Sequence, residues 1–191
     1  MITYLSRKLT EYLCRNSIID SEKAEIYQYG YEVFISGMIG YIIAGTIGAV
    51  SGHFTESLIF LAFFVPLRQL CGGYHADSYL KCNIVFAAVF AAVLAGACFI
   101  PKAFVLPAGI FCCAFTFVTM LMHAPIENKN KPLDEEQKVR NRRKCLVITP
   151  ALSVISLVMN IFNAEFSMTA ALTLFSVAAL MIVSKLFNRQ P

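Results

Sequence analysis

Charge is what this chain has least of. Only 15% of its 191 residues are Asp, Glu, Lys or Arg, against 58% hydrophobic, and mean hydropathy is +0.65. A soluble domain carries nearer a quarter charged and half apolar residues, so this composition excludes one and marks an integral membrane protein. Other absences narrow the chemistry. No Cys-x-x-Cys pair occurs, and the three histidines, His53, His75 and His123, lie far apart in the chain. Both facts argue against a metal centre. No Gly-x-x-x-x-Gly-Lys-Ser/Thr loop is present to cradle a nucleotide phosphate. Residues Met1 to Arg15 carry Arg7, Lys8 and Glu11 among apolar positions and lack the compact apolar core and cleavage site of a signal peptide. No long soluble domain, internal repeat or low-complexity tract is evident.

What is present is a series of apolar runs, at about Val33–Gly52, Phe54–Leu70, Cys82–Ile100, Ala103–His123, Cys145–Asn163 and Met168–Phe187. Five approach the ~20 residues that cross a bilayer as a helix. The second carries Glu56 near its start and Pro66 near its end, which leaves a re-entrant hairpin as the alternative. Charge distribution favours six spans. Fifteen of the 16 Lys and Arg then fall on one side and only Lys102 on the other. The positive-inside rule puts both termini and the loop holding His75 in the cytoplasm. The expected fold is therefore all-α, with six transmembrane helices after an N-terminal amphipathic region, in a single unit over 1–191.

Residues 1–32 form that region. Ile2, Leu5, Leu9 and Leu13 recur at three- and four-residue steps, as in a helix lying on a membrane surface. Such a segment either anchors the first span or receives an amphipathic peptide. A second short helix is expected to start at Asp20, with Glu22 in its first turn. Small residues recur every fourth position at Ser36, Gly40, Ala44, Gly48 and Gly52, and again at Ala87, Ala91 and Ala95. These stripes let helices approach closely, within the chain or between two copies.

The seven cysteines sort by setting. Cys98, Cys112 and Cys113 lie inside apolar spans, where a thiol behaves as a small hydrophobe. Cys14 and Cys145 sit near membrane edges with no nearby base in sequence. Structural disulfides do not suit a cytoplasmic location. Cys71 and Cys82 differ, because they flank the polar loop with His75. A free thiol is only slightly ionised at neutral pH and needs a base or a positive charge to become a nucleophile. In an unbroken helix His75 and Cys82 would stand about 10 Å apart along the axis, so their cooperation requires a bend. Gly72-Gly73 just before His75 can re-aim the imidazole. Cys71 stays open as the nucleophile instead.

Arg68, Gly72-Gly73, His75 and Cys82, followed two spans later by Asn130-Lys131-Pro132-Leu133 and a basic run, resemble the accessory gene regulator protein B (AgrB) family, and the likeness covers essentially the whole chain. The resemblance implies a membrane cysteine endopeptidase. It would cleave the C-terminal tail from a small AgrD-like propeptide and close the remainder into a thiolactone autoinducing peptide for quorum sensing in Gram-positive bacteria. Cys82 would be the nucleophile and His75 the base, with Arg68, Gly72 and Gly73 supporting. Arg68 would stabilise developing negative charge or hold a carboxylate, or else only mark the end of its span. The loop from Asn128 to Lys144, with Lys129, Lys131, Arg140, Arg142, Arg143 and Lys144, would attract the acidic C-terminal segment of the propeptide, or contact anionic lipid.

The resemblance also implies a bacterial cell membrane location, a homodimer, no cofactor and no nucleic-acid partner. Asp77 is close enough to orient an imidazole but reads better as an exposed loop carboxylate. Glu135-Glu136-Gln137-Lys138-Val139-Arg140 fits a Glu-Glu-x-x-x-Arg pattern of another membrane protease class. No histidine follows His123, and the match falls in a charged loop, so it is coincidence. The alternatives are a small peptide transporter or export subunit without proteolytic activity, and a binding module that does not cleave. Replacing Cys82 discriminates them, since only the enzyme loses its product.

Overall fold

The computed structural model describes residues 1–72, 78–126 and 134–187. Seven helices account for nearly all of them: α1 (Ile2–Arg15), α2 (Ala24–Ser51), α3 (Phe54–Cys71), α4 (Tyr79–Phe99), α5 (Lys102–His123), α6 (Glu135–Phe162) and α7 (Ala164–Phe187). α2 to α7 are each long and apolar enough to cross a membrane. The protein is an all-helical, multi-pass membrane protein with a short amphipathic helix in front.

The second span is one uninterrupted helix rather than a hairpin. α3 runs through Pro66, and its 18 residues reach about 27 Å. A proline lacks the N–H that the turn would use, yet neighbouring helices let a membrane helix tolerate it. Glu56 fits because it sits in the first turn, where a helix favours negative charge.

Three helix boundaries differ from the sequence expectation. No separate second helix starts at Asp20; a 3₁₀ turn, Ser21–Lys23, runs straight into α2, which thus begins well before Val33. α6 begins at Glu135 rather than Cys145, so the basic run Lys138 to Lys144 is helix, not loop. Asp134 is its N-cap and Glu135 and Glu136 fill its first turn, a start signal that hydropathy does not register. The Glu135–Arg140 motif therefore lies on a helix too. The last span begins at Ala164 rather than Met168, directly after Asn163, which caps the end of α6 with its N–H on the Met159 carbonyl at 2.9 Å. The Asn163 Oδ1 accepts from the backbone N–H of Glu165 (2.8 Å) and Phe166 (3.3 Å), starting α7 one residue after α6 stops.

α7 is the axis of the bundle. It packs against α3, α4, α5 and α6, and Ala170, Ala171, Leu174, Val177, Ala178 and Met181 are fully buried along it. α2 lies outside α3 and α4, with α1 against α2. The small-residue stripe of α2 is used within the chain. Gly40, Ala44 and Gly48 are buried, Gly40 against Phe86, and a methyl on Gly48 would come within 2.7 Å of Ser57. Ala91 and Ala95 on α4 face outward.

On α1 the buried residues are Ser6 and Thr10, each bonding its hydroxyl to a backbone carbonyl one turn back. Leu5 and Leu9 are exposed. An apolar stripe turned away from the protein suits a helix resting in the headgroup region.

Candidate active site at the Cys82 end

One end of the bundle gathers the C-terminus of α3, the N-terminus of α4, the residues after α5 and the N-terminus of α6. α3 stops at Cys71 because Gly72 turns left-handed (φ 72°). Gly72 then pairs with Ile126 as a parallel bridge, and the Ile126 N–H donates to the Cys71 carbonyl at 2.9 Å. A Cβ on Gly72 would overlap the Ile126 carbonyl oxygen. The glycine is thus needed for a close backbone approach, a reason the sequence did not disclose. Gly73 and His75 lie outside the described residues, as do Tyr74, Ala76 and Asp77.

α4 opens with Ser78 as N-cap, its Oγ accepting from the Lys81 N–H at 3.3 Å. Cys82 is the fourth residue of the helix and its own N–H bonds the Ser78 carbonyl at 3.0 Å. Its side chain is half-buried. The Arg68 guanidinium donates to the Gly72 carbonyl and stands within electrostatic reach of both Cys82 and Cys71.

The two thiols are not equivalent. Cys71 has no exposed surface, and its thiol is in hydrogen-bonding contact with Cys145, equally buried. The Cys82 side chain is partly exposed.

Aromatic packing aligns the two helices. Phe64 lies one turn before Arg68, Phe86 one turn after Cys82, and their rings meet edge to face at 5.5 Å. Phe60 stacks on Phe64 at 5.0 Å and packs on Phe90 at 4.7 Å. Tyr79 adds a tie to α2, donating to Glu32 Oε2 at 2.8 Å, while Gln28 Nε2 donates to Glu32 Oε1 at 3.2 Å. Sequence reading missed Phe64, Phe86, Tyr79 and Glu32. Their spacing from Arg68 and Cys82 was visible, but their partners were not.

The basic residues separate into roles. Arg142 caps the end of α5, donating to the carbonyls of Leu121 (3.1 Å) and Ala124 (3.4 Å). Arg140, Arg143 and Lys144 are exposed along α6. Lys129 and Lys131, with the rest of Asn130-Lys131-Pro132-Leu133, lie outside the described residues. His123, at the end of α5, meets Lys185 of α7 at 3.1 Å.

Comparison with known proteins matches this chain to a family model. The profile of Accessory gene regulator B covers residues 6–184. An AgrB-like protein of Clostridium perfringens (strain SM101 / Type A) is 27% identical over 183 residues, spanning 91% of this chain and 85% of its own. AgrB-like protein 2 of Clostridium perfringens (strain 13 / Type A) is 28% identical over 177 residues, spanning 88% and 82%. No solved structure matches the chain at a significant level. This six-span chain belongs to the AgrB family, membrane proteins with a role in processing the AgrD-like propeptide of the accessory gene regulator system.

Proposed function

We propose that this chain is a membrane-embedded cysteine endopeptidase in which Cys82 removes the C-terminal tail of an AgrD-like propeptide and holds the remainder as a thioester. The observation that carries the reading is the contrast between thiols. Cys82 sits in the first turn of α4, partly open and beside Arg68, while Cys71 is sealed. A helix's first turn and a guanidinium both favour negative charge, as a thiolate nucleophile requires.

The chemistry follows. His75 takes the Cys82 proton, the thiolate attacks the carbonyl at the junction between signal and tail, and the C–N bond breaks as the amine leaves with a proton. A cysteine within the bound peptide then attacks the thioester carbonyl. Its sulfur forms the new thioester, the ring closes to a thiolactone and Cys82 leaves as thiol. The acyl group stays activated throughout, so closure needs no ATP. Hydrolysis competes, and the site must hold the peptide thiol near and limit water. Arg68 lies where negative charge develops at the attacked centre.

Arg140, Arg143 and Lys144, with Lys129 and Lys131, draw in an acidic peptide tail. Arg142 contributes charge at the same face although it also caps α5. We place this end, and both termini, in the cytoplasm by the positive-inside rule. The unit comprises 1–191, and by family resemblance it works as a homodimer.

Reconstitution in liposomes with the AgrD-like propeptide tests the reading. Wild type and Cys71→Ala should cleave it, Cys82→Ala and His75→Ala should not, and a Cys82-linked peptide should be trapped from wild type. Cleavage by Cys82→Ala would falsify the nucleophile assignment; transport of intact propeptide without cleavage by wild type would favour the export reading.

A further inference from the structure

The end of the bundle away from Cys82 carries a second cluster. α2 ends on Gly52, left-handed at φ 79°, and the His53 N–H folds back to the Gly48 carbonyl at 2.8 Å. That turn delivers the imidazole to the start of α3. His53 Nδ1 lies 3.4 Å from Glu56 Oε1, and Glu165, in the first turn of α7, completes the group. One ligand atom from each of His53, Glu56 and Glu165 lies within 4.8 Å of the other two. On the far edge of the ring, His53 Nε2 is 3.7 Å from the Cys98 thiol at the end of α4.

Two carboxylates and one imidazole converge here, with the Glu56 side chain 8% exposed and Glu165 half-buried. A cation between them would offset the repulsion of two ionised carboxylates and give the buried Glu56 oxygens a partner. The donor set says which kind. One imidazole nitrogen and two carboxylate oxygens match the three protein ligands of a zinc site. Adjacent ligands around a tetrahedral zinc stand about 3.3–3.5 Å apart, close to the His53–Glu56 separation. The Glu165 oxygen, within 4.8 Å of the other two ligand atoms, would have to draw closer to share an ion with them. A metal-bound histidine usually gives its other ring nitrogen to a hydrogen-bonding partner that fixes its orientation, and Cys98 stands where such a partner belongs.

We propose that His53, Glu56 and Glu165 form a binding site for a divalent transition-metal ion of the zinc class, with Cys98 as a positioning residue for the imidazole. The histidines are distant in sequence, which argued against a metal; the site needs only one of them, because folding supplies the other donors from α3 and α7. The ion would pin the start of α3 to the start of α7, the central helix.

The test uses the untagged full chain in lipid nanodiscs, stripped with chelator and titrated with Co(II) and then Zn(II). Wild type should bind one ion per chain, show the intense d–d absorption of low-coordinate Co(II), lose it to Zn(II), and melt at a higher temperature with Zn(II) than without. His53→Ala, Glu56→Gln and Glu165→Gln should each weaken binding on the order of 100-fold and lose the thermal gain, while Cys98→Ala weakens it about tenfold and Cys98→Ser restores it. Cys82→Ala should bind as wild type does. Unchanged affinity in Glu56→Gln and Glu165→Gln, loss of binding in Cys82→Ala, or no Co(II) absorption in wild type would each overturn the proposal. Of the three glutamate and histidine variants, Glu165→Gln alters a partly exposed side chain and keeps the test decisive if Glu56→Gln misfolds.

Discussion

The two ends of the bundle are built on opposite plans. At the Cys82 end, basic groups are many and mostly exposed, and the chain segments are held by backbone: Gly72 against Ile126, Arg142 on the last carbonyls of α5. At the His53 end, charges are few but converge, two carboxylates and an imidazole within 4.8 Å. An end rich in spread positive charge suits an anionic peptide that must bind and leave. An end with concentrated negative charge suits a small resident cation. On the two proposals above, one bundle would separate a surface for turnover from a point of attachment.

The sharpest way to break this contrast is at the nucleophile. Cys82→Ala should lower propeptide cleavage on the order of 10⁴-fold or more, while Cys71→Ala stays within about tenfold of wild type, both read by single-turnover cleavage in liposomes. Equal losses would mean that the buried thiol is not a bystander. Next in size is the aromatic seam. Phe60 is fully buried between Phe64 and Phe90, and Phe60→Ala should destabilise the fold by about 3–5 kcal/mol, seen as lowered resistance to denaturant in micelles.

Gly72→Ala comes third. The left-handed backbone alone disfavours an L side chain by about 1–3 kcal/mol, and contact with the Ile126 carbonyl adds to it. Melting temperature and cleavage should fall together; a variant that melts early yet cleaves normally would separate the Gly72–Ile126 bridge from the site. The smallest effect is at Tyr79→Phe, which deletes the bond to Glu32 and should destabilise by about 1 kcal/mol, measured by hydrogen exchange at the start of α4. An undiminished protection there would show that the Phe64–Phe86 pair alone sets the register of α3 and α4.

Much of the fold was legible because a bilayer demands long apolar runs, and α3 and α5 start and end within a residue or so of their runs. α6 was misjudged because nine of its first ten residues are polar, and hydropathy cannot distinguish a charged helix from a charged loop. Asp134 and the two glutamates after it carried that information as a helix start. At the site, Arg68, Gly72 and Cys82 were visible as residue types at suggestive spacing. What separates Cys82 from Cys71 was not, since it depends on Cys145 arriving from α6. The convergence of His53 with Glu165 was equally hidden, because nothing local links the turn after α2 to the start of α7.

The position of α7 along the axis has a consequence for the order of assembly. During synthesis the walls, α3 to α6, are threaded into the membrane before the helix around which they close. Until α7 arrives, the faces of Phe60, Leu67, Phe90 and Met120 that meet the core have no common filler, and Arg68 and Cys82 are held by two walls without a centre. A chain cut before Ala164 would therefore hold every described residue of the Cys82 end yet lack the helix that packs α3 to α6 together.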